Sequence, residues 1–245
     1  MEHVLTAEKS HLNYSIVKSI LWLLFLTLGI QIITGFAAGL SLVLMFGDAY
    51  SLESTLKNPV VMSAITMASA FIAWLMLKRI TKVDDRPQLI RFLGFKSIDN
   101  RLLVKVFIVG AVYYSAISYV LYLLNVPTPE FMLEVKAKTQ SPLDLLMLLI
   151  AICIIAPFIE EVIFRGVGYG RLKNSKAGVL GAIVLPSLIF TIIHIQYEII
   201  DMISILPLAL LLGYIRYKTD NIWYCIALHF QVNALSTLLL FVLPQ

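Results

Sequence analysis

The chain has 245 residues, of which 60% are hydrophobic and 14% charged, and its mean hydropathy is +0.89. Soluble domains carry about 25% charged and 45–50% apolar residues, so this composition excludes an ordinary cytosolic globule, a disordered chain and a collagen-like fibre. A polytopic membrane protein of all-α class is what remains.

The polar first 18 residues are followed by an uncharged run from Ser19 to Gly47. A signal-peptide core has about 7–15 apolar residues, so this longer run is expected to be a retained, tilted span. Further spans are predicted at 59–77, 106–124, 143–172, 177–197, 199–215 and 222–243, against a need for about 20 apolar residues to cross the hydrocarbon layer. That makes seven, with 199–215 the shortest; a split of the first run at Gly35 or Gly39 would make eight. Of the 19 Lys and Arg, 16 fall on one side of this alternation and 3 (Lys57, Lys136, Lys138) on the other. The positive-inside rule then puts the N-terminus and the 78–105 loop in the cytoplasm. The stretch Lys78–Arg101 reads as a solvated loop or a hinge between a two-span part, residues 1–101, and the remainder, 102–245. The net charge of +4 is scattered over short loops and does not imply nucleic acid. Cys153 and Cys225 lie in apolar runs, so neither a disulfide framework nor a thiolate metal site is expected.

An acid or base at the centre of a spanning helix costs about 2.5–3.5 kcal/mol on the insertion scale, so each one needs a reason. They are few: Glu160, Glu161 and Arg165 in the fourth span, His194 in the fifth and His229 in the seventh, with Asp144, Glu198 and Asp201 near span ends. On a helix Glu161 and Arg165 are i,i+4 neighbours and can pair, leaving Glu160, rotated by about 100°, free to face elsewhere. His229 and Asn233 share a face one turn apart. Taken singly these residues also fit a helix-end charge cluster, a packed histidine and interhelical polar glue. Together they suffice to bind and activate a water, by either of two chemistries. A divalent ion, with zinc the natural choice, would take Glu160, His194 and His229 and acidify a bound water. Alternatively, without metal, Glu160 takes the proton while His229 and Asn233 hydrogen-bond the developing oxyanion.

Glu160-Glu161-x-x-x-Arg165, Phe190-x-x-x-His194 and His229-x-x-x-Asn233, in this order, resemble the three motifs of the CPBP intramembrane proteases, also called Abi, which include the type II CAAX prenyl endopeptidases. The resemblance covers about the last 100 residues, including the Gly213-Tyr214 pattern and Trp223. It implies a membrane-embedded endopeptidase core in 102–245 around a cavity open to the cytoplasm. In it Glu160 and His194 would activate water, His229 and Asn233 would stabilise the oxyanion, and Glu161 and Arg165 would hold the glutamate helix. The family is often called metalloprotease; a metal-free mechanism is equally compatible and is the one favoured here. Implied substrates are membrane-associated peptides or proteins, such as CAAX tails, pheromone precursors or bacteriocin-related peptides, in a bacterial cell membrane. A non-catalytic scaffold or immunity protein, and a proton-coupled transporter, are the alternatives.

Depth tests the arrangement. At 1.5 Å per residue Glu160 lies about 20 Å and His229 about 12 Å from the cytoplasmic ends of their helices, whereas His194 lies about 27 Å in if its helix is straight. The fifth helix is therefore expected either to begin in the interface, over 177–183, or to bend near Pro186.

Overall fold

The computed structural model describes residues 14–47 and 58–242. Among the described residues there are nine helices and no strand. They are α1 (Ile16–Met45), α2 (Pro59–Thr81), α3 (Arg86–Leu93), α4 (Asn100–Leu123), α5 (Glu130–Lys138), α6 (Pro142–Lys173), α7 (Gly178–Ile192), α8 (Ile199–Thr219) and α9 (Ile222–Val242). Six of them, α1, α2, α4, α6, α8 and α9, are long and apolar enough to cross a membrane.

Local chemistry sets the boundaries. Asn58 Oδ1 accepts from the Val60 and Val61 N–H groups with Pro59 in the first turn, and Asp85 and Asp99 cap α3 and α4 in the same way. At the start of α6 Ser141 and Asp144 form a reciprocal capping box, which is the reason for an acid at this span end. Lys82 and Asp220 end α2 and α8 in the left-handed region, at φ 56° and 48°.

Two expectations change in detail. The run 177–197 carries no Asp, Glu, Lys or Arg and is largely apolar, yet its helix stops at Ile192 after 15 residues, about 22 Å, too short to cross a hydrocarbon layer of about 30 Å. Conversely 199–215, expected to be the shortest span, extends to Thr219 and is 21 residues long. Helix α1 runs unbroken past Gly35 and Gly39, so it is not split there. Its geometry changes only at Phe25–Gly29, where the ladder widens to i→i+5. Gly213 lies inside α8, facing Ile183 of α7.

The segment after α2 is docked and does not hang free as a hinge. Leu89 and Leu93 of α3 are buried, Gly94 O accepts from Ile222 N at 2.9 Å, and Asn221 Nδ2 donates to Ser97 O at 2.9 Å. Leu23, Leu26 and Ile30 of α1, Leu77 and Ile80 of α2, and these α3 leucines pack in one cluster with Val162, Phe164 and Val167 of α6, Phe190 of α7 and Ile222 of α9. A second cluster joins Val106 of α4 to Leu208 and Leu212 of α8 and to Cys225 and Leu228 of α9. The outward faces are apolar, with Ile32, Ile33 and Phe36 of α1 and Val104, Ile108 and Val112 of α4 exposed, as a bilayer requires. The chain is an integral membrane protein.

Candidate active site

Helix α6 carries both glutamates and two π-helical stretches, Ile150–Ile155 and Val162–Gly168, on either side of the α-helical turn Ala156–Glu161. Each π stretch displaces backbone groups from the regular ladder, and such interruptions concentrate at functional sites. One carbonyl of each stretch bonds to a neighbouring helix. Pro157 has no N–H to return to Ile152, and Asn233 Nδ2 of α9 donates to that carbonyl at 2.9 Å. Arg165 O accepts from Arg216 Nε of α8 at 2.9 Å.

Glu161 and Glu160 face opposite environments. Glu161 is completely buried, and its Oε1 accepts from Arg165 Nη1 at 3.1 Å and from His229 Nδ1 at 2.9 Å. Arg165 is itself buried and donates through Nη2 to Ala209 O at 2.7 Å, so guanidinium, carboxylate and imidazole form one unit across α6, α8 and α9. The i,i+4 pairing read from the sequence is present. Its extension to His229 has no local signal, because it depends on how α9 packs on α6. Glu160 retains 23% of its side-chain exposure, and its Oε2 lies 3.8 Å from His229 Nε2.

His194 is the second residue beyond the end of α7. Its Nδ1 lies 2.6 Å from Phe190 O, and since a carbonyl only accepts, Nδ1 carries the proton and Nε2 is left as an acceptor. Phe190, 1% exposed, is wedged between the two histidines, its ring centroid 4.7 Å from that of His194 and 5.6 Å from that of His229, with the Arg165 guanidinium 5.0 Å away. Tyr197 stacks on the other side of His194 at 6.1 Å.

Glu160 and His194 line one cavity of about 100 Å³. A straight helix carrying His194 away from Glu160 would have separated them; the early end of α7 keeps them together. Its lining also includes Thr27 and Gln31 of α1, Thr66 and Ser69 of α2, and Gln196. Sequence reasoning passed over these five. An uncharged polar group such as Gln31 in an otherwise apolar run was the available signal. His229 touches Glu160 from the side, and Asn233 has one N–H committed to Ile152, so the four motif residues do not all converge on the cavity.

Among the described residues no three His, Cys, Asp or Glu side chains form a group that could hold a metal ion. The alternative zinc site of Glu160, His194 and His229 is not among such groups.

This arrangement defines a class: a helical membrane protein with a carboxylate and an imidazole lining a small cavity and a second imidazole beside the carboxylate. Residues 142–235 match the family model described as type II CAAX prenyl endopeptidase Rce1-like, a segment that holds all three motifs and supports the CPBP resemblance. An uncharacterized 24.3 kDa protein of Escherichia coli is 27% identical over 118 residues, 47% of this chain and 54% of that one. The chain thus spans about half the length of this curated relative. No solved structure matches.

Proposed function

We propose that the protein is a CAAX-type intramembrane endopeptidase that hydrolyses a peptide bond in a membrane-associated peptide or protein, with Glu160 as the base. The observation that carries this is one carboxylate and one imidazole acceptor, Glu160 and His194, lining the same cavity inside the bundle. At about 30 Å³ per water the cavity holds roughly three. A water held by Glu160 and by His194 Nε2 loses a proton to Glu160 as its oxygen attacks the scissile carbonyl. The carbonyl oxygen becomes an oxyanion, and His229 would stabilise it as an imidazolium, its Nδ1–H held by the buried Glu161 carboxylate and its Nε2–H donated to the oxyanion. Glu160 then returns the proton to the leaving nitrogen as the C–N bond breaks. Asn233 supports this centre by satisfying the Ile152 carbonyl, and its second N–H is available to the oxyanion.

By loop charge, the N-terminus and the positively charged loops are cytoplasmic, in a bacterial cell membrane, so cleavage would take place towards the cytoplasmic face. The test is cleavage of a panel of membrane peptides, including a farnesylated CAAX peptide and pheromone precursors, by protein reconstituted in lipid. Wild type should cleave at least one, and Glu160→Gln, folded to the same degree, should lose that cleavage. Unchanged cleavage by Glu160→Gln overturns the reading. A chelator arm decides whether metal takes part, and loss of cleavage in it would replace the glutamate-only chemistry. A variant that still supports the cellular role while neither protein cleaves anything would favour a scaffold or immunity role.

A further inference from the structure

The bundle buries three arginines. Arg165 is paired with Glu161 and Arg216 with Asp220, at 3.1 and 2.6 Å. Arg171, 3% exposed, has no carboxylate within 4 Å among the described residues. Its Nε donates to Ser19 Oγ at 3.1 Å, its Nη1 donates to Ile80 O, and its guanidinium lies 4.4 Å over the Tyr14 ring. Those contacts fix its position and, among the described residues, supply no counter-charge, which a buried cation tolerates poorly.

Arg171 lines a cavity of about 620 Å³ between the beginning of α1 and the end of α2, far larger than the one at Glu160. Lys18, Arg79 and Lys82, all exposed, line the same space, and among the described residues no Asp or Glu does. Apart from Ser15 and Tyr14 its other lining is apolar, with Leu21, Trp22 and Phe25 continuing along α1 towards the bilayer. Four cations at one end and an apolar wall at the other complement an amphiphile with an anionic head. We infer that this cavity is a binding site for one anionic phospholipid, its phosphate facing Arg171, Arg79, Lys82 and Lys18 and its acyl chain lying along Trp22 and Phe25. The site is separate from Glu160 and does not depend on the hydrolase reading. A soluble phosphate would leave the apolar wall unused, which is why the lipid is the occupant.

The experiment is native mass spectrometry of the full chain, released from detergent containing equal phosphatidylglycerol and phosphatidylcholine. Wild type is expected to retain one phosphatidylglycerol in preference to phosphatidylcholine. The double variant Arg79→Gln/Lys82→Asn, in which Asn suits the left-handed position 82, should lose that preference by roughly fivefold per cation removed. Lys105→Gln/Lys218→Gln removes two cations elsewhere and should keep it; equal unfolding temperatures show that all three proteins are folded. Equal retention in both double variants, or no preference in wild type, overturns the site. Displacement of the lipid by millimolar inorganic phosphate would make it a phosphate site and overturn the lipid reading. Retention that appears only after residues 2–12 are removed would make the chain's own N-terminus the occupant.

Discussion

Two adjacent glutamates should respond oppositely to the same conservative change. Glu161→Gln removes the charge that balances Arg165 in a place where neither side chain sees solvent, 0% and 2% exposed. Breaking a buried pair from one side costs about 3–5 kcal/mol, because the remaining charge is left uncompensated. For a chain of this size about 2–4 °C of unfolding temperature follows each kcal/mol, which gives a drop of roughly 6–20 °C. Glu160 has no such partner, its nearest ion-pair contact being His229 at 3.8 Å, so Glu160→Gln should stay within about 0.5 kcal/mol of wild type while cleavage falls by about 10²–10⁴. The assay is thermal unfolding in one detergent, read by intrinsic fluorescence, beside cleavage in lipid. A third protein separates charge from packing. Replacing both partners, Glu161→Leu with Arg165→Met, removes the uncompensated charge and should recover most of the lost stability. It should not recover cleavage, because His229 Nδ1 then lacks its acceptor. An unfolding temperature for Glu161→Gln within about 2 °C of wild type, or an equal drop in Glu160→Gln, refutes the division of roles.

Gly94 has φ +89°, and an added Cβ would stand 2.3 Å from Arg216 Nη2, so Gly94→Ala should destabilise by about 1–3 kcal/mol, read as a lower unfolding temperature. Asn233→Ala strips the Ile152 carbonyl of its side-chain donor and should cost about 1–3 kcal/mol of stability in addition to activity; Asn233→Asp, which keeps the size but can no longer donate, should not restore either. Burial pushes the Asp220 carboxyl up, but Lys96 and Arg216 outweigh it and hold the group below its ordinary value. With the folded value the lower one, its contribution is full above the unfolded carboxylate value of about 3.9 and is lost as pH falls through the folded one. Half exposed, this carboxylate should contribute at most about 1 kcal/mol, so Asp220→Asn should lower the unfolding temperature slightly at neutral pH and not at all in strong acid.

What the sequence revealed follows from what is local. Glu161 and Arg165 meet because four residues on a helix close one turn, and Glu160 diverges for the same reason. The caps at Asn58, Asp85, Asp99 and Ser141 are equally local, but a reading by hydropathy and charge passed over them. The early end of α7 was hidden because Ile192 and Ile193 are as apolar as the residues before them, and composition does not mark where a buried helix stops. The docking of α3 did have a signal, Leu89 and Leu93 at i,i+4 in a charged stretch, which reads as one apolar stripe on a short amphipathic helix. The contacts of Asn233 with Ile152 and of His229 with Glu161 had none, since residues 81 and 68 positions apart are brought together by packing alone.

The two π stretches show why one helix suits this site. A regular ladder keeps its carbonyls to itself, whereas α6 offers Ile152 O to α9 and Arg165 O to α8, so the helix is gripped by its neighbours on both sides of the glutamate turn. That grip, with the Glu161–Arg165–His229 unit, fixes the rotation of the turn. Because Glu161 must point at α8 and α9, Glu160 must point about 100° away, where the cavity wall of α1, α2 and His194 stands. A base needs a carboxylate whose surroundings differ from those of its neighbour, and here the difference is 23% against 0% exposure, set by one residue of helical rotation. Shifting the pair one position towards the start of α6 would put the proposed base at 159, which is buried, and the counter-ion of Arg165 at 160, which is not.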